Sequence, residues 1–595
     1  MLTAILLVSA LLGPIEPSTP IDLRHGQALH AFEHLGNIGE QVEAAAASGA
    51  TVIYATGCGG VGYGGLPPAE QWAQQKTCAA AYAAKAHALG IPTVLGYLCA
   101  TSIVKLDTFD DHWPGDLRAE LQTPVTAWLQ QGRDGKALKS WYGGDYEPAC
   151  MNNPGWRTYQ RYMVRQQLET GHDGIFFDNP TVHLDGCFCT HCMTEFSAFL
   201  REENVVETVQ SLSSREELET IRALAGAHPK EFMRFRSKIA SAFFAHIREY
   251  ARSLNPNAVI TANNSLNNPS VFFSQSRTLG YNIQEMSKVE DFVVVEDMGT
   301  QPRVENGKII EYGPTYKLLH AIINDKPLVA VTIAGTDYHT PANLTRLAMA
   351  EAIANNSSYL AWTTWPEEHR ASMSAAVRDQ MEFYRAHLAL LKDAMPRREV
   401  QLYLPFMQWL DTETCTTSQV ADALVKANIQ FTVFAEEDFT LDRLDPNAVL
   451  LFEPGKGITP EAAGVMDAFT NRGGKVVKAT GEDWLNQVLA QLDPPAVTID
   501  GPVTVRAYVW DQPGRTIVHL LNLNIEKETS FEDTVHAAEN LRVTARGLGA
   551  LPRSARWLTA DESAEAELML QLNPEARGAS VVIPKLHTSG WLILE

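Results

Sequence analysis

Short apolar runs alternate with amphipathic stretches from about residue 25 to residue 390, and most runs end in a polar residue or glycine. The runs are rich in β-branched and aromatic residues, and the stretches between them have helical spacing. Eight strands separated by helices predict an α/β fold with parallel strands, as in a closed (β/α)8 TIM barrel. A doubly wound open sheet is the alternative. The predicted strands cover residues 27–32, 51–55, 93–98, 174–178, 258–262, 292–296, 328–333 and 359–363.

A second pattern begins near Pro396, where predicted strands at 400–404, 431–434 and 448–452 alternate with helical segments. This order is typical of a small flavodoxin-like α/β domain. No glycine-rich loop follows its first strand, so we expect no nucleotide there and no organic cofactor in the chain. After Pro494 the helical pattern ends, and alternating segments predict a small C-terminal β-sandwich.

The N-terminus is a short apolar run followed by Pro14 and Pro17. It is too short to span a bilayer and fits the apolar region of a signal peptide, so we expect an exported protein, periplasmic or extracellular. A misassigned start or a buried first strand is the alternative. No later stretch is apolar enough to predict a membrane span in the mature chain. The predicted divisions are a signal peptide at 1–19, a catalytic barrel at 20–395, the flavodoxin-like domain at 396–492 and the β-sandwich at 493–595.

The negative net charge of the chain bears on whether its partner is a nucleic acid or a neutral molecule. Charged residues make up 20% of the sequence, and the formal net charge is -22. An acidic surface repels phosphate backbones, which argues against nucleic acid. The charge is compatible with a neutral partner, such as a carbohydrate substrate.

Carboxylates follow two of the predicted barrel strands. Asp178 ends the strand at 174–178, and Glu296 and Asp297 end the strand at 292–296. Active sites of such barrels lie at the C-terminal ends of the strands, and glycoside cleavage needs two carboxylates. We therefore predict Asp178 as nucleophile and Glu296 as general acid/base. Asp297 is the alternative to Glu296, because only one of two successive side chains faces inward. Capping of a loop is the structural alternative for either site.

Other strand ends and long loops supply aromatic and polar side chains of the kinds that stack on sugar rings and bind hydroxyl groups. Each of these residues could instead have a packing role. Together, however, they are more polar and more aromatic than the structural end of a barrel requires. The predicted substrate-binding residues are Tyr97, His112, Trp141, Asn179, Asn263, Asn264, Asp337, Tyr338, His339 and Trp365.

A cysteine motif, Cys-x-Cys-x-x-Cys, lies shortly after Asp178. Three thiolates at this spacing can bind one tetrahedral ion, and thiolate-rich coordination is typical of structural Zn²⁺ rather than catalytic Zn²⁺. The predicted metal ligands are Cys150, Cys187, Cys189 and Cys192. His191 and Cys99 are alternatives to Cys150 as the fourth ligand. Free or disulfide-bonded thiols are the alternative to a metal site.

The segment 150–195 resembles a hypothetical glycosyl hydrolase group related to glycoside hydrolase family 42. The resemblance lies in Asn152-Asn153-Pro154, Asp173-Gly-Ile-Phe-Phe-Asp178 and Cys187-Phe-Cys189-Thr-His-Cys192. The order of domains is also similar to that of family 42 β-galactosidases, which have a barrel, a flavodoxin-like trimerisation domain and a small β domain. The resemblance implies retaining hydrolysis, a structural zinc near the barrel mouth and a homotrimer.

The ends of two strands depart from the family 42 pattern. That family has an Asn-Glu acid/base after strand four and a Glu nucleophile after strand seven. Here strand four ends in Asp178-Asn179, and strand seven ends without a Glu. An Asp at strand four is similar to α-glycosidase families, which pair it with an acid on a later strand. The sugar and its anomeric configuration are therefore left open.

These observations predict a glycoside hydrolase that cleaves O-glycosidic bonds of a neutral oligo- or polysaccharide with retention. A non-catalytic carbohydrate-binding barrel is the alternative, because the same aromatic and polar rim would serve it. A hydrolase with a catalytic metal is a weaker alternative, because histidines do not cluster at the strand ends.

Overall fold

The computed structural model describes residues 29–33, 42–47, 49–55, 64–139, 145–206, 214–296, 298, 303–305, 308–324, 326–331, 340–362, 366–412, 415–455, 457–492, 494–561 and 565–595. The predicted signal peptide lies outside these ranges. Three groups of sheets follow one another along the described chain, in the order that the sequence predicts.

The first group is one parallel sheet of eight strands, whose described ends lie within two residues of the predicted ones. The strands are β1 (Leu29–Glu33), β2 (Val52–Ala55), β3 (Thr93–Cys99), β4 (Gly174–Asp178), β5 (Val259–Ala262), β6 (Val293–Val295), β7 (Leu328–Val331) and β8 (Ser358–Trp362). Their order in the sheet is β5-β4-β3-β2-β1-β8-β7-β6. The two outer strands are also joined, since the Asp291 amide donates to the Ile260 carbonyl over 2.8 Å and the Glu296 amide to the Asn264 carbonyl over 2.8 Å.

A separate apolar cluster fills the inner side of this sheet. It combines side chains of β2, β3, β4, β6, β7 and β8, among them Tyr54, Leu95, Phe176, Val294 and Leu360. The alternate residues of the same strands pack outward against helices. Layers of side chains from several strands are what fills the interior of a closed barrel.

Helices follow most strands, and some of them begin at a side-chain cap. At the start of α4, Asn153 accepts hydrogen bonds from the amides of Gly155 and Trp156, and a proline occupies the first helical position. None of the described helices has the length and apolar character that crossing a bilayer requires. The helices are α1 (Val42–Ala47), α2 (Ala69–Ala88), α3 (Gly115–Glu120), α4 (Pro154–Glu169), α5 (Thr190–Glu202), α6 (Arg215–Ala227), α7 (Pro229–Leu254), α8 (Pro269–Leu279), α9 (Ile283–Ser287), α10 (Gly313–Ile322), α11 (Ala342–Ala354), α12 (Glu367–His387), α13 (Phe406–Thr412), α14 (Thr417–Lys426), α15 (Pro460–Asn471) and α16 (Trp484–Leu492).

The second group is a parallel sheet of four strands with order β10-β9-β11-β12. These strands are β9 (Val400–Leu404), β10 (Phe431–Ala435), β11 (Val449–Phe452) and β12 (Val476–Lys478). Helix α14 connects β9 to β10, α15 connects β11 to β12, and α16 follows β12. This mixture of strands and helices is typical of a small α/β domain.

The third group has two antiparallel sheets that share an apolar core, together with a separate hairpin formed by Ile525–Lys527 and Asp533–Val535. Val509 and Leu520 of one sheet pack in the same cluster as Leu541 and Val581 of the other, as in a β-sandwich. The strands are β13 (Val497–Asp500), β14 (Val505–Gln512), β15 (Arg515–Asn522), β16 (Ile525–Lys527), β17 (Asp533–Val535), β18 (Ala538–Ala545), β19 (Ala555–Leu558), β20 (Ala566–Glu567), β21 (Gln571–Asn573), β22 (Gly578–Leu586) and β23 (Ser589–Leu594).

Side chains connect this third group to the rest of the chain. Asn428 Oδ1 accepts from the Ala507 amide over 2.8 Å, and Gln430 Oε1 accepts from the Val509 amide over 2.9 Å. The hairpin of β16 and β17 reaches α11, where Asp533 Oδ2 accepts from the Leu344 amide over 2.9 Å. The β-sandwich therefore borders both the second sheet and a helix of the first.

Candidate active site

Four polar side chains meet at the C-terminal ends of neighbouring strands β3 to β6. Side chains alternate along a strand, so Asp178 faces the same side as Phe176, which lies in the inner cluster. By the same alternation Glu296 faces the side of Val294, and this argues for Glu296 over Asp297 as the inward carboxylate. Tyr97 on β3 packs against the inner cluster, and Asn263 follows β5.

These side chains form a continuous hydrogen-bonded series. Tyr97 donates its hydroxyl proton to Asp178 Oδ2 over 2.8 Å. Asn263 donates from Nδ2 to Asp178 Oδ1 over 3.3 Å and also to Glu296 Oε1. Ser265 donates to Glu296 Oε2 over 3.2 Å. Because one nitrogen reaches both carboxylates, their nearest oxygens lie within two hydrogen-bond lengths, about 6 Å at most.

The junction of β5 and β6 is held from behind by a buried amide and a buried phenol. Asn264 donates to the Val294 carbonyl over 2.5 Å and to the Tyr281 hydroxyl over 3.3 Å. Tyr281 in turn donates to Glu290 Oε1 over 3.4 Å. Burial raises the pKa of Glu290 to about 8, so its carboxyl group keeps a proton near neutral pH. These contacts position the strand ends that carry Asn263 and Glu296.

A cavity of about 490 Å³ opens over the two carboxylates. Its lining contains hydroxyls, amides, two tyrosines and both carboxylates, and it includes no lysine, arginine or histidine among the described residues. The lining residues are Tyr146, Asp178, Asn179, Pro180, Thr181, Asn263, Asn264, Ser265, Gln275, Leu279, Tyr281 and Glu296.

The sequence did not single out several of these lining residues. Tyr146 lies in the long segment after β3, and Gln275 and Leu279 lie on α8, so no strand-end signal marks them. Ser265 directly follows Asn263-Asn264, and that adjacency is the signal that could have identified it.

The predicted substrate-binding residues have different outcomes. Asn179 and Asn263 line the cavity, while Tyr97 contacts Asp178 without being part of the lining. Asn264 lines the cavity, but its side-chain amide is bonded within the protein. His112 is exposed and is not among the lining residues. Trp141, Asp297, Asp337, Tyr338, His339 and Trp365 lie outside the described residues.

The four predicted cysteines form a buried cluster, and their sulfur atoms all lie within 4.8 Å of one another. Cys150 Sγ lies 3.4 Å from Cys192 Sγ and 3.6 Å from Cys189 Sγ. Four thiolates around one Zn²⁺ at 2.3 Å would lie about 3.8 Å apart, so the spacing fits a tetrahedral ion. Contacts with Cys150, then Cys187 and Cys192, lower the pKa of Cys189 well below its usual range.

The geometry also bears on the alternatives for the cysteines. The four thiols are free, not disulfide-bonded. Cys99 lies apart from the cluster and accepts a hydrogen bond from the Ser102 amide over 3.3 Å, and His191 is exposed. Burial raises the pKa of Cys99 to about 11, so it is a protonated thiol at neutral pH. The arrangement favours Cys150 as the fourth ligand.

Another cavity, of about 110 Å³, lies where α10 and α11 meet β10 and β14. Its lining includes Lys317, Arg397, Arg398 and Arg443 but only one carboxylate, Asp438. Glycoside cleavage by a carboxylate pair cannot occur there. This cavity is therefore not an alternative site for the carboxylate chemistry.

No protein-family model matches the sequence, and no curated protein matches it significantly. Solved structures do match over nearly the whole chain. α-L-fucosidase isoenzyme 2 from Paenibacillus thiaminolyticus has a TM-score of 0.62 at 11% identity, covering 96% of this chain and 99% of its own. β-galactosidase from Bacillus circulans sp. alkalophilus has 0.61 at 11%, covering 96% and 99%.

A third similar structure is a family 42 exo-carrageenase from Bacteroides ovatus, with a TM-score of 0.53 at 11% identity, covering 96% of this chain and 80% of its own. The likeness confirms the predicted resemblance to family 42 and related glycosidases, and it implies a TIM-barrel architecture. At this level of identity the likeness is one of fold. The chain therefore has the fold of family 42 β-galactosidases and related glycoside hydrolases.

Proposed function

We propose that the protein is a retaining glycoside hydrolase, built on a closed (β/α)8 barrel, with Asp178 as nucleophile and Glu296 as acid/base. The observation that carries the proposal is that one amide nitrogen, Asn263 Nδ2, donates to both carboxylates. Retaining enzymes hold their carboxyl groups about 5–5.5 Å apart, whereas inverting enzymes leave roughly 6.5–9.5 Å for a water molecule. An upper bound of about 6 Å favours retention.

In the first step Asp178 attacks the anomeric carbon while Glu296 gives its proton to the departing glycosidic oxygen. The carbon–oxygen bond of the substrate breaks, and an ester to Asp178 forms. In the second step Glu296 takes a proton from water, whose oxygen displaces Asp178. Tyr97, Asn263 and the Asn179 amide donate to the Asp178 carboxylate and orient it for attack.

A neutral sugar is the substrate class that fits the cavity. The described lining offers acceptors, amides and hydroxyls but no cation that would pair with a sulfate or uronate. The sequence segments after β1, β2, β6, β7 and β8 that lie outside the described residues also contain no lysine or arginine. The similar structures include a β-galactosidase and an α-L-fucosidase, so β-galactosides and α-L-fucosides are the first compounds to try.

Structural Zn²⁺ in the cysteine cluster is part of the proposal. Cys150, Cys187, Cys189 and Cys192 would hold the ion, which would crosslink the chain before α4 to the loop before α5. Export and a homotrimer remain predictions from the sequence and the family resemblance. Metal analysis of the purified protein should give about one zinc per chain.

The direct test is a panel of 4-nitrophenyl α- and β-glycosides, assayed with the parent protein and with Asp178→Asn. We expect turnover of at least one glycoside and a loss of roughly 10⁴-fold or more in the variant. The control is Asp185→Asn, which changes an exposed carboxylate on the same loop. Sugar binding without turnover across the panel would favour the non-catalytic alternative, and equal rates for the parent and Asp178→Asn would refute the assignment.

A further inference from the structure

Arg236 is a buried arginine in the middle of α7, with 5% of its surface exposed. Its hydrogen-bond partners among the described residues are four main-chain carbonyl oxygens. The distances are 3.2 Å to Val182, 2.7 Å to His183, 2.9 Å to Arg277 and 2.7 Å to Thr278. Burial lowers the pKa of Arg236 to about 10, so the guanidinium is still charged at neutral pH.

The four carbonyls belong to two segments that are far apart in sequence. Val182 and His183 lie in the loop that leads from Asp178 to Cys187, and the other two residues lie in the last turn of α8. A cation at the C-terminus of a helix interacts favourably with its free carbonyls. A direct hydrogen bond, from the Val182 amide to the Leu279 carbonyl over 2.8 Å, joins the same two segments.

Both segments also form walls of the candidate sugar cavity. Pro180 and Thr181 come from the loop, and Gln275 and Leu279 come from α8. The end of α8 lies directly against α7, because a Cβ on Gly280 would be 3.1 Å from the Arg236 carbonyl oxygen. Arg236 thus contacts these two segments from the protein interior, and their opposite side faces the cavity.

The same guanidinium lies within electrostatic range of the cysteine cluster. Cys187, Asp185 and Cys192 each favour its charged form. Four thiolates around a divalent ion carry a net charge of about −2, which buried cations stabilise. The His183 carbonyl also accepts from the Gly186 amide over 2.9 Å, directly before Cys187. Arg236 therefore contacts the segment that continues into the metal ligands.

We propose that Arg236 is a positioning residue that couples metal binding by the four cysteines to the shape of the sugar-site wall formed by residues 180–183 and 275–281. Metal bound at Cys187, Cys189 and Cys192 orders the loop from Asp178 to Cys187. Because Arg236 hydrogen-bonds this loop and the last turn of α8, the ordered loop in turn holds the end of α8 in place. The description of the wall as a sugar site depends on the proposed function, whereas the coupling itself does not.

Hydrogen exchange followed by mass spectrometry tests the coupling without any substrate. Zinc-loaded parent protein is compared with protein treated with a chelator, and peptides covering 275–281 are measured. We expect metal removal to raise exchange in these peptides as well as in 182–192. In Arg236→Met the exchange of 275–281 should be fast with or without zinc. Arg234→Met is the matched control, because Arg234 lies on the same helix but is 39% exposed and pairs with Asp411 at 3.7 Å.

A second measurement covers the case in which Arg236→Met does not fold. Arg236→Lys keeps the charge but cannot reach four carbonyls at once. We expect chelator-induced zinc release to be roughly 10- to 100-fold faster than in the parent, with KM raised more than kcat is lowered. Unchanged exchange in 275–281 on metal removal, or zinc release at the parent rate in Arg236→Lys, would overturn the coupling. Absence of glycosidase activity in the parent would refute the proposed function and leave the exchange result intact.

Discussion

Asp178 and Glu296 share one hydrogen-bond donor, the Nδ2 atom of Asn263. The two carboxylates come from strands β4 and β6, and Asn263 follows the strand between them. Two negative charges this close repel each other unless a donor or a proton lies between them. The shared donor therefore holds the two carboxylates close together, and the prediction for Asn263 depends on it.

Removal of either carboxylate should distinguish their roles when azide is added. In Asp178→Ala, azide can occupy the place of the missing nucleophile, so the glycosyl azide should have inverted configuration. In Glu296→Ala, azide should attack the ester on Asp178 and give a product of retained configuration. The measurement is the stereochemistry of the product by NMR. A retained product from Asp178→Ala and an inverted product from Glu296→Ala would show that the roles of the two carboxylates are exchanged.

Asn263→Ala should lower kcat/KM by roughly 10- to 100-fold, because a hydrogen bond to charged groups is lost. Ser265→Ala, which removes a donor from Glu296 alone, is the comparison and should lower kcat/KM by a smaller factor. Equal kcat/KM values for Asn263→Ala and the parent would contradict a bridging role.

Glu290 should make the protein less stable as the pH rises. Its pKa is about 8 in the folded chain because of burial, against 4.5 for an ordinary glutamate. Between these values the folded state holds more protons than the unfolded state, so the free energy of unfolding decreases from about pH 4.5 to pH 8. The free energy of unfolding of Glu290→Gln should therefore rise relative to that of the parent as the pH increases from about 4.5 to 8. The relative change should be on the order of a few kcal/mol.

Chemical denaturation at pH 5 and at pH 8 measures this difference. Glu285→Gln is the control, because Glu285 lies on α9 and pairs with Lys288 at 3.2 Å without being buried. A constant difference between Glu290→Gln and the parent at the two pH values would contradict the shifted pKa.

Asp533 should stabilise α11 from outside the helix. Its two carboxylate oxygens accept from the Asn343 side chain over 2.8 Å and from the Leu344 amide over 2.9 Å. Asp533→Ala should cost about 1 kcal/mol, as for other helix N-terminal caps. Thermal or urea unfolding measures the loss, with Thr534→Ala as the exposed neighbour. Equal midpoints for both variants would show that the cap contributes nothing.

The strands of the barrel could be predicted because each is a short apolar run bounded by polar residues. Gly174–Asp178 was predicted with its observed ends. The small strands of the C-terminal part were missed, among them Ala555–Leu558. These segments are so short that alternation of apolar and polar residues cannot be distinguished from the pattern of a loop.

The carboxylates and cysteines of the site were predicted because strand ends and cysteine spacing leave a local signal. Gln275 and Tyr281 left no such signal, since they reach the site through tertiary packing of α8 and the residues that follow it. His112 was predicted to bind substrate because it lies in a long loop. It is exposed, so the length of a loop does not tell whether a side chain in it faces the cavity. The contacts of Arg236 with four distant carbonyls were equally invisible to sequence periodicity.

The outer edge of β14 has a consequence for work with fragments of the protein. That edge is covered by Asn428, Gln430 and the Arg397 amide, which donates to the Val509 carbonyl over 2.7 Å. A recombinant C-terminal piece that starts after residue 493 would lack all three and would offer a row of uncovered amides and carbonyls. Such an edge invites strand-to-strand association. Dissection of this chain at its apparent boundary should therefore yield aggregates unless residues 395–430 are retained.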